Sequence, residues 1–371
     1  MIIIKKIIIS GYYGFDNLGD EAILAAWVKG LKKDSNSEKI KIIALSNQPQ
    51  KTAQEHGIAA IGRYNILALI KNLFSADLFI SGGGGLLQDV TGKFSVIYYL
   101  SLIVLAKILG CKTFFAAQGV GPITTKFNRF LIAKVLNQVD KITVRDKESK
   151  DLLSEFGVKN KIILTADLAL SLASGSKESG LQLLTKKGIV VNESMLAVVI
   201  RDWQENNYLA QLAKIINHLA SKYNFKVLII PFKLASDLKV SYKFKKLLNP
   251  PAQLLKEKYS PLEMIDIIKV FDFLLGVRLH SLIFATLNRV PVAGIAYDPK
   301  INNFLSRLEI EPIAEIDSLK VANSSKKISN LWEEKESFSK EKEKKIAKLA
   351  GLSRQNLEIA LRLVGINGPR S

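Results

Sequence analysis

Apolar and polar residues alternate along the chain in blocks that predict strands and helices in turn. Residues 2–9 form a short apolar run rich in β-branched side chains, which is typical of a buried strand. Residues 19–33 have the pattern of a helix, and the apolar block at 94–109 predicts a helix packed on a sheet face. Because strands that alternate with helices form parallel sheets covered on both faces, this half of the chain is expected to be an α/β unit.

A polar segment of small residues interrupts the pattern at residues 171–188, and the alternation starts again after it. The predicted organisation is an N-terminal Rossmann-like domain at 1–172, a linker at 173–188, a C-terminal Rossmann-like domain at 189–325 and a charged helical segment at 326–371. The two domains are expected to face each other across a cleft. Ligands of parallel sheets bind beyond the carboxyl ends of the strands, so the site is expected there.

Composition narrows the class of protein without fixing its function. The apolar fraction of 48% and the charged fraction of 23% are ordinary for a globular protein and exclude a mainly disordered or collagen-like chain. The net charge of +19 predicts attraction to nucleic acid, anionic lipid or a phosphorylated substrate. The lysines are spread without a block typical of a nucleic-acid-binding arm, so a general lysine bias explains the charge equally well. A nucleic-acid binder therefore ranks last.

The cysteine count and the apolar segments predict the redox environment and the location of the protein. The single cysteine, Cys111, excludes an intrachain disulfide and fits a reducing compartment. No signal peptide is expected, because lysines interrupt the apolar start and no cleavage site follows. The apolar stretch at 96–109 is shorter than the ~20 residues that a membrane-spanning helix needs. We expect a cytoplasmic protein, either free or resting on the inner face of the plasma membrane.

Glycine-containing segments follow three predicted strands. In the first, residues 10–21, the spacing of the glycines does not match the dinucleotide-binding fingerprint. Its Asp20 either caps the following helix or faces the cleft and handles a sugar hydroxyl, and Asp16 is the other acidic candidate. The second segment contains Gly83 and Gly84 within a run of four glycines, whose exposed N–H groups suit a phosphate or a bulky ligand. The third begins at Gln118.

Cationic side chains follow other predicted strands. Arg145 either holds a phosphate or carboxylate by two parallel bonds or pairs locally with Asp146 or Glu148.

The most informative cations lie near residue 280. Arg278 and His280 occupy a strand-to-helix turn, and Lys300 follows the next predicted strand. With a helix N-terminus they suit a small dianion, Arg278 as a forked donor and His280 as a proton donor. No metal site is expected, because the three histidines and one cysteine are scattered without ligand spacing.

Four of these segments together resemble the polysaccharide pyruvyl transferase family, most closely its CsaB subfamily of bacterial cell-wall enzymes. They occur in the family's order across roughly three quarters of the chain. The segments are residues 10–24, 81–89, 118–122 and 278–281.

The resemblance implies a fold like that of GT-B glycosyltransferases, with the acceptor on the N-terminal domain and phosphoenolpyruvate on the C-terminal domain. It also implies transfer of pyruvate from phosphoenolpyruvate to a terminal N-acetylmannosamine-type sugar, on a lipid-diphosphate-linked oligosaccharide. The product would be a 4,6-linked ketal, with release of phosphate. In the subfamily this ketal lets S-layer homology domains grip the cell-wall polymer.

Residue roles follow from this chemistry as expectations. His280 is expected to be the general acid and Asp20 the base for a sugar hydroxyl. Phosphoenolpyruvate is a co-substrate, and neither a cofactor nor a metal is expected. The substrate-binding residues are expected to be Asn17, Arg63, Gly83, Gly84, Gln118, Arg145, Arg278, Leu279 and Lys300.

A nucleotide-sugar-dependent glycosyltransferase on the same fold is the alternative function. It predicts protection of the protein by a nucleoside diphosphate rather than by phosphoenolpyruvate. The partners expected under the first interpretation are phosphoenolpyruvate, the lipid-linked oligosaccharide and an anionic membrane surface, with no nucleic acid.

Overall fold

The structure is a computed structural model that describes residues 4–33, 39–90, 92, 94–191, 194–249 and 252–366. The chain divides into two compact units, each with its own sheet. The first unit comprises the residues up to Phe15, Asp20–Leu172 and the residues from Leu349 onward. The second comprises Asp16–Gly19 and Ala173–Lys348.

Within the described residues, the first unit contains a seven-stranded sheet in which all neighbours are parallel. The strands are β1 (Lys5–Tyr13), β2 (Ile40–Ser46), β3 (Ala59–Gly62), β4 (Leu78–Leu87), β5 (Lys112–Val120), β6 (Lys141–Val144) and β7 (Ile162–Leu164). They pair in the order β3-β2-β1-β4-β5-β6-β7, so the order reverses between β1 and β4. Ile8 of β1 is fully buried in the core on one face of this sheet.

The helices of the first unit lie between these strands in the chain. They are α1 (Leu18–Leu31), α2 (Pro49–His56), α3 (Ile66–Leu73), α4 (Ser95–Ile108), α5 (Lys126–Leu136) and α6 (Lys147–Glu155). The apolar pattern at 94–109 predicts α4 correctly, since Val96, Leu100 and Ile103 are buried in the core.

The second unit repeats the same strand order with six parallel strands in its described part. The strands are β8 (Met195–Val199), β9 (Lys226–Ile229), β10 (Gln253–Leu254), β11 (Phe273–Gly276), β12 (Val292–Ala296) and β13 (Ala314–Glu315). They pair in the order β10-β9-β8-β11-β12-β13, and the order reverses between β8 and β11. Parallel sheets with this order in both units confirm the predicted α/β class with two Rossmann-like parts.

The helices of the second unit include an unexpected one near its start. They are α7 (Lys177–Thr185), α8 (Tyr208–Tyr223), α9 (Leu234–Lys245), α10 (Pro261–Ile268), α11 (Leu279–Leu287), α12 (Pro299–Ser306), α13 (Val321–Glu333) and α14 (Lys335–Leu363). Helix α14 belongs to the second unit as far as Lys348.

Helix α7 lies within residues 171–188, where the small polar residues predict a loop, and this loop interpretation is wrong for residues 177–185. The Ser176 hydroxyl accepts the Ser179 N–H at 3.2 Å and so caps the helix. Gly180 lies against the backbone of Asp266 in α10, where a Cβ atom would overlap the chain. The small polar residues that look like a loop therefore serve as a cap and a close helix contact.

Within the charged tail expected at 326–371, helices α13 and α14 cover the chain to Leu363 apart from Glu334, and the residues from Leu349 belong to the first unit. Residues 367–371 lie outside the described part of the chain. The Asn356 Oδ1 atom accepts hydrogen bonds from the Thr143 and Thr165 hydroxyls at 2.6 and 3.1 Å. The Ser353 hydroxyl donates to the Asp167 carbonyl at 2.8 Å. No described helix combines the length and the apolar character needed to cross a bilayer.

Candidate functional site

The loop after β1 depends on a glycine and a glutamate. The Gly14 N–H donates to Glu21 Oε1 at 2.8 Å, and Gly14 has a φ of 76°. A Cβ atom at Gly14 would lie 2.6 Å from the backbone nitrogen of Gln48, so no other residue fits there without movement. His56 Nε2 lies 3.5 Å from Glu21 Oε2, and both side chains are buried. The loop conformation is therefore held from inside the first unit.

These same side chains form the group of potential metal ligands found among the described residues. The ligand atoms of Glu21, Glu55 and His56 lie within 4.8 Å of one another. Two of the three already form the Glu21–His56 contact that supports Gly14, so their arrangement has a structural explanation.

Asp20 and the glycine run come together in the first unit. Asp20 lies in the first turn of α1 and is 9% exposed. Its Oδ1 atom lies 3.1 Å from the position that a Cβ at Gly84 would take, and Gly83 and Gly84 have φ values of 92° and 81°. The glycines therefore allow the strand to approach the carboxylate, at the point where the strand order reverses between β1 and β4.

Arg63 follows β3 and sits among aromatic rings. Its guanidinium carbon lies 4.6 Å from the ring centre of Tyr98 and 5.2 Å from those of Phe15 and Tyr64. Nη2 donates to the Tyr99 hydroxyl at 3.4 Å, and Nε and Nη1 are buried without a hydrogen-bond partner among the described residues. Arg63 is 7% exposed, so the rings hold an arginine without an ion pair in the described part of the chain.

The charges of Asp20 and Arg63 shift the pKa values of the same tyrosine hydroxyls in opposite directions. Burial raises the pKa of the Tyr99 hydroxyl to about 12, while the Arg63 charge lowers it and the Asp20 charge raises it. Burial likewise raises the pKa of Tyr12, with Asp20 raising and Arg63 lowering it. The first unit thus brings together the Asp20 carboxylate, the Arg63 guanidinium and tyrosine hydroxyls, a set of groups suited to a sugar.

Two other residues of this unit that were predicted to bind substrate form hydrogen bonds or ion pairs within the protein. Gln118 is fully buried, and its Nε2 atom donates to the Ser81 carbonyl at 3.0 Å and hydroxyl at 2.7 Å. Arg145 is 7% exposed and forms ion pairs with Asp167 at 3.0 Å and Asp146 at 3.4 Å. The local-pair interpretation of Arg145 is thus the one that matches its contacts within the described residues.

The second unit binds Arg278 through a carboxylate that the sequence analysis did not single out. Arg278 Nε and Nη2 donate to Asp237 Oδ2 and Oδ1 at 2.6 and 2.5 Å. Asp237 is fully buried in the first turn of α9, and its Oδ2 also accepts the Lys233 N–H at 2.9 Å. Arg278, expected to be a forked donor to a small dianion, therefore makes two parallel hydrogen bonds to a carboxylate of the protein's own chain.

His280 lies in the first turn of α11 and contacts the Asp16–Gly19 segment. A Cβ atom at Gly19 would overlap the His280 ring, so the imidazole packs directly on this backbone. The segment is held further by the Leu18 N–H, which donates to the Phe232 carbonyl at 3.2 Å. The Asn17 Oδ1 atom accepts the Gly19 N–H at 3.3 Å. The first and last predicted motifs therefore meet in the second unit.

Lys300 and Leu279 complete the predicted set. Lys300 Nζ lies 2.9 Å from Asp298 Oδ2 and 5.0 Å from the ring centre of Tyr297. Leu279 is 4% exposed and so packs in the core. Asp16 Oδ1 pairs with Lys258 Nζ at 2.8 Å.

Comparisons with known proteins give the family from a sequence model and the fold from solved structures. A family model described as "Polysaccharide pyruvyl transferase" matches residues 17–299. No curated protein matches this chain.

Solved structures resemble the chain over almost its whole length. A glycosyltransferase from Rickettsia africae has a TM-score of 0.64 at 14% identity, covering 97% of this chain and 99% of its own. A UDP-GlcNAc 2-epimerase from Neisseria meningitidis, bound to UDP-GlcNAc, has a TM-score of 0.61 at 16% identity and covers 96% and 100%. The UDP complex of MnaA from S. aureus has a TM-score of 0.64 at 13% identity and covers 98% and 99%.

At these identities the likeness concerns the fold, which is of the GT-B type. The family match rests on the sequence and spans most of the chain. This protein belongs to the polysaccharide pyruvyl transferase family.

Proposed function

We propose that the protein transfers pyruvate from phosphoenolpyruvate to a terminal N-acetylmannosamine-type sugar of a lipid-diphosphate-linked cell-wall precursor, as in the CsaB subfamily. The observation that carries the proposal is the contact between Gly19 and His280, because it joins two segments that resemble this family. Arg278 is the N-cap residue of α11 and Lys300 lies in the first turn of α12, so we assign phosphoenolpyruvate to these helix N-termini.

The reaction balances with groups of this chain. His280 donates a proton to the methylene carbon of phosphoenolpyruvate while a sugar hydroxyl attacks the neighbouring carbon, and Asp20 takes the hydroxyl proton. The carbon–oxygen bond to phosphate then breaks, the second hydroxyl attacks, and its proton ends on the released phosphate. Asp20 then releases its proton to solvent and His280 takes one up, which restores both residues. The net change moves one hydroxyl proton to the methyl group and the other to the phosphate, and no metal or cofactor is required by this scheme.

Phosphate release tests the proposal. Phosphoenolpyruvate is incubated with the protein, with and without a lipid-diphosphate disaccharide ending in N-acetylmannosamine. We expect phosphate to appear only with the acceptor, together with the mass gain of one pyruvyl ketal on the sugar. Absence of both release and phosphoenolpyruvate binding would overturn the proposal.

The alternative is a nucleotide-sugar-dependent glycosyltransferase. It is favoured by the fold shared with the R. africae glycosyltransferase and with the UDP complex of MnaA. A melting temperature raised by UDP and unchanged by phosphoenolpyruvate would put this alternative first.

Replacing Gly19 with alanine is expected to lower turnover about 100-fold. The added Cβ atom displaces the His280 ring, and moving a catalytic group by about 1 Å can lower the rate by this factor. Turnover is measured as acceptor-dependent phosphate release. Gly351→Ala in α14 is the matched control, since a Cβ at Gly351 meets no atom within 4 Å and this residue lies outside the candidate site. Equal activity of the two variants would show that the His280 position is not needed.

The lipid-linked acceptor implies a place at the inner face of the plasma membrane. A cavity of about 790 Å³ in the second unit has an apolar wall of Leu234, Leu238 and Tyr242 beside lysines of α9 and its neighbours. Such a wall with a basic rim suits contact with an anionic membrane.

Changing Lys239, Lys243 and Lys246 together to glutamine is expected to lower the fraction that floats with anionic vesicles at least tenfold, since each lysine contributes about 1 kcal/mol near such a surface. The control changes three exposed lysines of α14, Lys340, Lys344 and Lys348, and so removes the same charge. Equal losses in both variants would assign the binding to net charge alone.

A further inference from the structure

The predicted cations of the second unit already have acidic partners. Arg278 is paired with Asp237 by two hydrogen bonds, and Lys300 Nζ lies 2.9 Å from Asp298. A phosphate monoester with a carboxylate carries about three negative charges near neutral pH. Arg278, whose guanidinium is fully paired with a carboxylate, holds such a ligand weakly. Lys300 gives one of its three N–H donors to Asp298 and keeps the others for a ligand, but its charge is partly offset. A ligand of this kind needs positive charge that the chain has not offset.

Arg201 lies at the right place on the sheet to supply it. It follows β8, the strand next to β11, and Val199 of β8 is the parallel partner of Gly276 in β11. Arg201 and Arg278 both lie two residues beyond this pair. The strand order reverses between these two strands, which is the place where α/β sheets bind ligands.

Aromatic rings surround the Arg201 guanidinium, and no acid among the described residues neutralises it. Its central carbon lies 4.0 Å from the ring centre of Tyr297 and 5.2 Å from that of Trp203. Its recorded hydrogen bond is from Nε to the Asp202 carbonyl at 3.3 Å, and no carboxylate pairs with it in the described part of the chain. A stacked guanidinium keeps its N–H edge available to a planar or tetrahedral anion.

The backbone of Arg201 is fixed as well. The Tyr208 hydroxyl donates to the Arg201 carbonyl at 2.6 Å and accepts the Arg201 N–H at 3.2 Å. Burial raises the pKa of this hydroxyl, which also feels the charges of Asp237, Arg201 and Arg278. Arg201 is therefore part of the same electrostatic environment as the Arg278–Asp237 pair.

Lys300 also contacts the ring of Tyr297. The Arg201 guanidinium and Lys300 Nζ are 4.0 and 5.0 Å from the Tyr297 ring centre, so they lie within about 9 Å of each other. One phosphate group spans that distance when its oxygens accept bonds of about 2.8 Å from both cations.

We infer that Arg201 and Lys300, arranged around Tyr297, form a phosphate-monoester subsite in the second unit. The inference rests on the proposed function in taking the phosphate of phosphoenolpyruvate as the occupant. Arg201 binds that group while it is still esterified and after it is released. The guanidinium then contributes to substrate affinity, and the proton transfers remain with other residues.

Arg201→Gln and Arg201→Lys test this subsite. Calorimetry measures the binding of phosphoenolpyruvate, inorganic phosphate and UDP to the full chain, and phosphate release gives KM and kcat. We expect Arg201→Gln to weaken phosphoenolpyruvate and inorganic phosphate about 10- to 100-fold, with KM raised and kcat changed about threefold at most. Arg201→Lys keeps the charge and is expected to fall between this variant and the unchanged protein.

Arg289→Gln is the matched control, because Arg289 is an exposed arginine of the same unit paired with Glu343. Its affinities are expected to equal those of the unchanged protein. Should Arg201→Gln and Arg201→Lys fold, as judged by circular dichroism, and bind phosphoenolpyruvate and phosphate normally, Arg201 is only a packing residue and the inference is overturned. Weakened UDP binding with no phosphoenolpyruvate binding by any form would keep the subsite and remove the proposed donor. An unchanged protein that binds none of the three ligands overturns the subsite too.

Discussion

Replacing His280 with glutamine lowers acceptor-dependent phosphate release about 100- to 10,000-fold, if His280 donates the proton that starts ketal formation. Glutamine keeps a polar side chain next to Gly19 but cannot deliver a proton to carbon. Binding of phosphoenolpyruvate, measured as the rise in melting temperature that it causes, is expected to persist, because the phosphate and carboxylate are held by other residues. The expected result is thus a loss of kcat with little change in donor affinity.

His218→Gln is the control for this prediction. His218 is exposed on α8, and its replacement is expected to leave phosphate release unchanged. A loss of less than about tenfold in His280→Gln would exclude the role of general acid. Loss of phosphoenolpyruvate binding in the same variant would instead make His280 a binding residue.

The second large effect concerns stability. Asp237 is fully buried and Arg278 is 15% exposed at its side chain, so Asp237→Asn leaves an arginine without its counter-charge. Breaking a buried pair in this way typically lowers the free energy of unfolding by about 3–5 kcal/mol. We expect a fall at the lower end of this range, because asparagine still accepts the Lys233 N–H and Arg278 is not fully buried. Urea denaturation followed by circular dichroism measures it.

A surface pair provides the matched comparison. Arg289 and Glu343 are 2.9 Å apart and about half exposed, so Glu343→Gln is expected to change the free energy of unfolding by less than about 1 kcal/mol. Replacing both partners of the buried pair, Arg278→Met with Asp237→Leu, is expected to recover most of the stability and none of the activity. If Asp237→Asn unfolds within about 1 kcal/mol of the unchanged protein, the pair contributes little to the fold.

The sequence predicts the elements of this fold where apolar runs are long. The block at 94–109 becomes α4, and the helix predicted at 19–33 becomes α1, within two residues at each end. The sequence pattern gives a wrong prediction at residues 174–180, where the serines and glycines predict a loop. In the structure Ser176 caps α7, and Gly180 lies on the face of α7 that packs against α10. Local composition cannot distinguish a polar loop from a helix rich in small residues. The residue that packs against Gly180 lies in α10, far along the chain.

In the candidate site, too, the sequence predicts the position of a residue along its strand but not its partners. Position after a strand end selects Arg145 and Arg278 from the sequence, and both lie there in the structure. Their charges are neutralised by Asp167 and Asp237, which no local pattern links to them. Arg201 also follows a strand end, so the rule that found the other two would have found it as well.

The sequence by itself determined the α/β class, the order of strands and helices along the chain, and the family, because periodicity and short glycine and Arg-Leu-His segments are local properties. Only the tertiary structure decided which charges are available. Ion pairs such as Arg278–Asp237 and ring contacts such as Arg201–Tyr297 join residues that are 41 and 96 positions apart, and folding alone brings them together. The electrostatics of this site are a consequence of long-range packing.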